Sequence, residues 1–91
     1  MPDTSALAAA VDEAAVRLRG IARETPLELN TRLSDAAGAE VWLKREDLQV
    51  VRSYKLRGAF NFIAQVRDAA QDSGVVCASA GNHAQGVAWA C

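Results

Sequence analysis

Aromatic residues, cysteines and long apolar runs are all scarce in this chain, and each shortage removes a class of function. Aromatics account for 5 % of the 91 residues, too few for a base-stacking platform. A formal net charge of −1 and a pI of about 5.7 offer no basic surface to nucleic acid. The two cysteines, Cys77 and Cys91, have neither zinc-ligand spacing nor the density of a disulfide scaffold. Cys77 lies in an apolar run and reads as a small buried residue of a cytosolic chain. No apolar run approaches the roughly 20 residues needed to span a bilayer. Asp3, Asp12 and Glu13 in a start without a long apolar core exclude a secretory signal or transit peptide. Two phosphate-binding signatures are also missing. Val87 stands where a P-loop would need lysine after Gly81 and Gly86, and there is no G-x-G-x-x-G. No metal site, internal repeat or low-complexity linker is indicated.

What is present is a hydrophobic content of 51 % rich in alanine, which favours helices in close contact within at most one small domain or part of a larger one. Leu7, Val11, Ala14, Leu18 and Ile21 form a helical stripe whose start Asp3, Thr4 or Ser5 can cap. Pro26 forces Thr25 toward extended geometry, so Thr25-Pro26-Leu27 reads as a rigid connector. Asn30 or Thr31 begins a short helix stopped by Gly38. Val41 to Leu43 reads as a strand, and Glu46-Asp47-Leu48-Gln49 as a polar loop leaving it. A helix from about Ser53 to Gly74 follows, then an apolar strand Val75-Val76-Cys77-Ala78 of the kind buried in a parallel sheet, and a last helix through Ala84, Val87, Ala88 and Trp89. This order predicts an α/β fold with parallel strands flanked by helices. No helix stop follows Trp89 and the predicted sheet has too few strands to bury its edges, which together predict the N-terminal portion of a longer enzyme.

Two stretches carry chemistry. In Val51-Arg52-Ser53-Tyr54-Lys55-Leu56-Arg57-Gly58-Ala59, Leu56, Phe60 and Ile63 repeat at helical spacing, and Ser53 is a candidate N-cap. Lys55 then falls in a first turn whose partial positive charge disfavours a cation, with Arg52 and Arg57 nearby. A lysine held partly neutral suits attack on a carbonyl; an ordinary surface lysine is the competing reading. In Ser79-Ala80-Gly81-Asn82-His83-Ala84-Gln85-Gly86, small residues at a strand-to-helix junction let a ligand approach the backbone. The first N–H groups of the helix there form an anion site, the competing reading being a tight turn with a Ser or Asn cap. His83 taken alone is a capping or packing residue.

Leu43-Lys44-Arg45-Glu46-Asp47-Leu48-Gln49, Ser53-Tyr54-Lys55-Leu56-Arg57-Gly58-Ala59-Phe60-Asn61 and Ser79 to Gly86, in that order, closely resemble the threonine dehydratases, which are fold-type II pyridoxal phosphate enzymes. The similarity extends from about Leu18 onward and includes Thr25-Pro26-Leu27. It implies that residues 1–91 are the N-terminal part of the catalytic domain, without a complete second domain. It implies that Lys55 forms the internal Schiff base with pyridoxal 5′-phosphate, that Asn82 touches the 3′-oxygen of its ring, and that Tyr54 packs near it. The loop of Ser79, Ala80, Gly81, Asn82 and His83 would bind the substrate carboxylate. The implied reaction is deamination of L-threonine to 2-oxobutanoate and ammonia, at the entry to isoleucine synthesis, by a cytoplasmic homo-oligomer.

The family's glycine-rich phosphate loop and the partner of its pyridine nitrogen come later in the chain than Cys91, so these 91 residues are expected to be inactive alone. Serine dehydratase and serine/threonine racemase share the motifs and are the alternatives within the fold type. A non-catalytic remnant or interaction module is the alternative of another class.

Overall fold

The computed structural model describes residues 3–91, in the order α1 (Thr4–Leu18), β1 (Leu27–Leu29), α2 (Thr31–Ala37), β2 (Trp42–Lys44), a 3-10 turn (Glu46–Leu48), α3 (Lys55–Gln65), α4 (Arg67–Ser73) and α5 (Asn82–Ala90). Asp3 caps α1 by accepting from the Ser5 amide at 3.0 Å, which satisfies one of the donors a helix start leaves unpaired. The Leu7 and Val11 end of the apolar stripe stays exposed. At its other end Arg17 donates to Asn61 Oδ1 of α3 at 2.9 Å and ties the two helices together.

The sheet differs from the expected one. Among the described residues it has two strands, β1 and β2, paired antiparallel with Leu27 opposite Lys44 and Leu29 opposite Trp42. The predicted connector therefore continues into a strand that the sequence pattern does not announce; three residues, Leu27-Glu28-Leu29, are too short to show alternation. Between the strands, α2 is closed at one end by Asn30, whose Oδ1 accepts from the Leu33 amide at 2.8 Å. Gly38 closes the other at φ 67°, a left-handed conformation that glycine adopts without a Cβ penalty. Arg45 then bridges Glu28 and Asp47, at 2.9 Å each, across the strand pair.

The predicted strand Val75-Val76-Cys77-Ala78 is not one. Its backbone groups find no hydrogen-bond partner within the described residues, because no neighbouring strand lies beside it. Val76 is 97 % exposed, and Cys77 is exposed where burial was expected. The long helix from Ser53 to Gly74 is also corrected. It starts at Lys55 and is interrupted at Val66, whose φ of −110° and ψ of 20° leave the helical region. The Val66 N–H is shared between the carbonyls of Phe62 and Ile63, a three-centre bond typical of helix ends.

Few side chains among the described residues are deeply buried: Leu56 and Ala59 of α3 are the buried apolar ones, joined by Thr25, Gln49 and Ser53. The radius of gyration is 16.2 Å, against roughly 12 Å for a compact domain of this length. A polar clasp does part of the work that a larger core would do. Gln49, 1 % exposed, accepts from the Arg23 amide at 2.8 Å and donates to the Arg23 carbonyl at 2.7 Å. Its amide nitrogen also donates to Glu46 at 2.6 Å, and the other oxygen of Glu46 receives Arg57 of α3. The segment after α1, the 3-10 turn and α3 are thereby joined around one buried amide, with Arg57 donating to the Arg23 carbonyl and Arg23 to the Leu48 carbonyl at 3.3 Å each.

From Gln49 the chain turns sharply into α3, with the Arg52 amide donating to the Gln49 carbonyl at 2.9 Å. Arg52 takes φ 63°, a conformation that costs a side-chain-bearing residue roughly 1–2 kcal/mol. Tyr54, rather than Ser53, occupies the capping position of α3. Ser53 Oγ receives the Lys55 amide at a long 3.4 Å, so it supports the first turn only weakly.

Three outcomes follow from the clasp and the turn. Gln49→Ala leaves the Arg23 amide unpaired and its carbonyl with the longer bond from Arg57 Nη2 alone, and urea unfolding should register a loss of about 1–3 kcal/mol. Burial opposes the Glu46 carboxylate, but hydrogen bonds from Arg57 and Gln49 outweigh it and hold its carboxyl below the ordinary 4.5. A folded value below the unfolded one gives stability that is present above about pH 4.5 and lost as pH falls through the lower folded value. Glu46→Gln should flatten that acid limb in a urea series across pH. At position 52, Arg52→Gly should be more stable than Arg52→Ala by about 1 kcal/mol in the same assay.

Candidate active site

The packing of α5 on α3 is the most extensive contact between two elements, and it brings the two chemical stretches together. Phe60 of α3 and Trp89 of α5 meet at a ring-centroid distance of 6.4 Å, tilted by 54°, within the range of favourable aromatic pairs. Nearer the start of both helices, Gly86 is buried against the backbone of Lys55 and Leu56. One helical turn separates Gly86 from Asn82 on the same side of α5. The start of the lysine helix thus lies beside the first turn of the helix that the Ser79 loop enters.

Lys55 is the first residue of α3 and is half-buried. Its Nζ lies 5.1 Å from the ring centroid of Tyr54, a cation–π distance; Tyr54 itself is 60 % exposed. Among the described residues Lys55 forms no ion pair. Of the two arginines expected to crowd it, Arg57 is paired with Glu46, so its charge is compensated.

In the second stretch, Ser79 and Ala80 are exposed, Gly81 is half-buried, and Asn82 and His83 are exposed. Ser79 Oγ accepts from the Gly81 amide at 3.2 Å, and no side chain caps α5. The Gln85 amide reaches the Gly81 carbonyl at 3.0 Å, while the amides of Asn82, His83 and Ala84 have no acceptor among the described residues. The Ser79–Gly81 bond gives the junction the serine turn of the competing reading, while the first three amides of α5 stay open, as at any helix start without a side-chain cap.

Sequence reasoning assigned no role to Gln49 and left Gly86 as one small residue of a loop motif. Buried polar character surrounded by charged neighbours was the available signal for the first. No signal in one sequence marks the second, since the neighbour that it touches is about 30 residues away. The buried Thr25 Oγ1, without a hydrogen-bond partner, was likewise not anticipated. A concavity of about 680 Å³ lies between α3, α4 and the end of α5 opposite Asn82; Phe60, Ile63, Gln71 and Val75 line it, and the two chemical stretches do not.

Comparison with known proteins agrees with this arrangement of motifs. The family described as pyridoxal-phosphate dependent enzyme matches residues 18–91. A biosynthetic L-threonine dehydratase of Mycobacterium leprae is 60 % identical over 81 residues, which is 89 % of this chain and 19 % of that protein. A Staphylococcus aureus protein of the same description is 58 % identical over 79 residues, 87 % of this chain and 19 % of that one. Among solved structures, the processed form of threonine deaminase isoform 2 from Solanum lycopersicum superimposes with a TM-score of 0.78 at 45 % identity, covering 97 % of this chain and 24 % of that one. Maize serine racemase gives 0.79 at 34 % identity, covering 89 % and 26 %. The chain spans about a fifth of the length of the curated relatives that it matches, and over that span it belongs to the pyridoxal-phosphate dependent enzyme family.

Proposed function

We propose that this chain carries the lysine-bearing part of a pyridoxal-phosphate dependent lyase that converts L-threonine to 2-oxobutanoate and ammonia. The observation that carries the reading is the contact of α3 with α5, which sets an unpaired lysine at one helix start beside the unclaimed amides of another. Identities of 58–60 % to biosynthetic L-threonine dehydratases support threonine as the substrate.

The residues present fit the cofactor and its substrate. When bound, pyridoxal phosphate supplies an electron sink that makes a proton on the substrate Cα removable. Lys55 has the one chemistry that can attach the cofactor's carbonyl carbon, a primary amine free of ion pairing. With the cofactor bound, Lys55 would also be the base closest to that attachment point and would take the Cα proton. The amides of Asn82, His83 and Ala84 hold the substrate carboxylate with their N–H groups and with the positive end of α5. In this reading the Asn82 side chain, exposed at that helix start, would hold the ring oxygen of the cofactor, and Ser79 holds the loop through Gly81. Tyr54 lies against the Lys55 side chain and shields it from water on one side. The two exposed thiols, Cys77 and Cys91, suit the reducing environment of the cytoplasm.

A second reading, a serine racemase or serine dehydratase, draws on the likeness to the maize enzyme. It ranks second because the identity to threonine deaminase is higher.

Lys55 and Lys44 are the only lysines in the sequence, which makes the test direct. Pyridoxal phosphate followed by borohydride should fix a label on the Lys55 peptide in preference to Lys44, and Lys55→Ala should abolish that label in peptide mass spectra. Equal labelling of both lysines that persists when the chain is joined to the downstream segment of the Mycobacterium leprae relative would remove Lys55 from its role and favour a non-catalytic module. Joined to the downstream segment of the Mycobacterium leprae relative, the chain should release ammonia faster from threonine than from serine; the reverse order would favour the second reading.

A further inference from the structure

We infer that Gly86 is a positioning residue for Lys55: the absence of a side chain at this point of α5 fixes where the first turn of α3, and with it the lysine, sits relative to the Ser79–His83 loop. This rests on the role given to Lys55 above and adds the device that aims it.

A glycine inside a helix is less stable than alanine by roughly 0.5–1 kcal/mol, and Gly86 lies in the middle of the nine-residue α5. It is not among the residues with positive φ, so no backbone conformation there calls for glycine. What does call for it is space. A Cβ on Gly86 would meet the Lys55 carbonyl carbon and oxygen at 3.1 Å each and the Leu56 nitrogen at 3.2 Å. All three are backbone atoms, so no side-chain rotation can relieve the contact, and α5 and the first turn of α3 must separate by a few tenths of an ångström. A Cβ on Gly58, in the same turn of α3 as Lys55, would meet nothing within 4 Å, so the requirement is local to Gly86.

The atoms at stake belong to Lys55 and to the residue after it, and Leu56 is fully buried. A displacement at this point is therefore transmitted to the lysine before any other reactive group. Misplacement of about 1 Å can cost a reaction on the order of 100-fold, so a shift of a few tenths of an ångström corresponds to roughly 3- to 10-fold.

The test compares the wild-type chain with Gly86→Ala, Gly58→Ala and Trp89→Leu. Pyridoxal phosphate is the probe: its aldehyde and a lysine amine condense with loss of water, and hydride from borohydride then fixes the carbon–nitrogen bond. The readouts are the Lys55-to-Lys44 labelling ratio and, with no cofactor added, the amide resonances of Lys55 and Leu56. Gly86→Ala should displace both resonances and lower the ratio roughly 3- to 10-fold, while Gly58→Ala leaves both as in the wild type. Trp89→Leu loosens the far end of the α3–α5 contact without touching Gly86, and serves as the control for general loss of packing. A ratio that falls as far in Trp89→Leu as in Gly86→Ala, or one that Gly86→Ala leaves unchanged, overturns the inference. Should Gly86→Ala lose its helices, the ratio in Trp89→Leu decides: retained, it upholds a local requirement at Gly86; lost, it overturns it. Failure of the wild type to prefer Lys55 would instead overturn the role of Lys55, and the resonances of Lys55 and Leu56 would still decide whether Gly86 sets their position.

Discussion

A hydrogen-bonded clasp centred on one buried amide ties the lysine half of this chain together. Gln49 pairs with both backbone groups of Arg23 and with Glu46, and through Glu46 it reaches Arg57. With only Leu56 and Ala59 as buried apolar residues among those described, hydrophobic contact contributes little to fixing these segments. Hydrogen bonds in a water-poor setting are directional and are costly to leave half made. They therefore specify one arrangement of the segment after α1, the 3-10 turn and α3 where a small apolar core would permit several. The strained Arg52 turn is held between this clasp and the first turn of α3, in keeping with strain that persists only where its surroundings over-determine it.

Much of the local structure was legible because local rules govern it. Asp3 and Asn30 cap the helices that they were expected to cap, and Gly38 ends α2 in the left-handed region. The 3.6-residue period of Leu56 and Phe60 placed α3. The misses have a common physical cause, which is that the deciding partner lies far away in sequence. β1 exists because β2 pairs with it, and Val75–Ala78 is not a strand because nothing pairs with it among the described residues. Cys77 is exposed for the same reason. The break at Val66 also escaped periodicity, since a single residue leaving helical geometry does not disturb the apolar pattern on either side.

The candidate site shows the same division. Lys55 and the Ser79–His83 loop stand out from residue type and order, and each carries its own local chemistry: an amine at a helix start, amides at another. That the two meet depends on the approach of α5 to α3 at Gly86, a relation between residues that no window of sequence contains. Arg57 illustrates the opposite case, where nearness in sequence misleads. It is two residues from Lys55, yet its charge is spent on Glu46 rather than on the lysine.

The unpaired segment Val75–Ala78 leads directly into the Ser79 loop, so the two halves of the site differ thermodynamically. The lysine half is ordered in advance by α3 and the clasp. The loop half is anchored by backbone hydrogen bonds on its α5 side only. Fixing a backbone residue costs roughly 1–2 kcal/mol, and any ligand gripping the loop must supply that ordering from its own contacts unless another strand has already done so. Docking a strand against Val75–Ala78 would thus raise ligand affinity without adding a single contact to the ligand. Under the proposed function, sheet completion and carboxylate capture would be thermodynamically linked, each strengthening the other by the same factor.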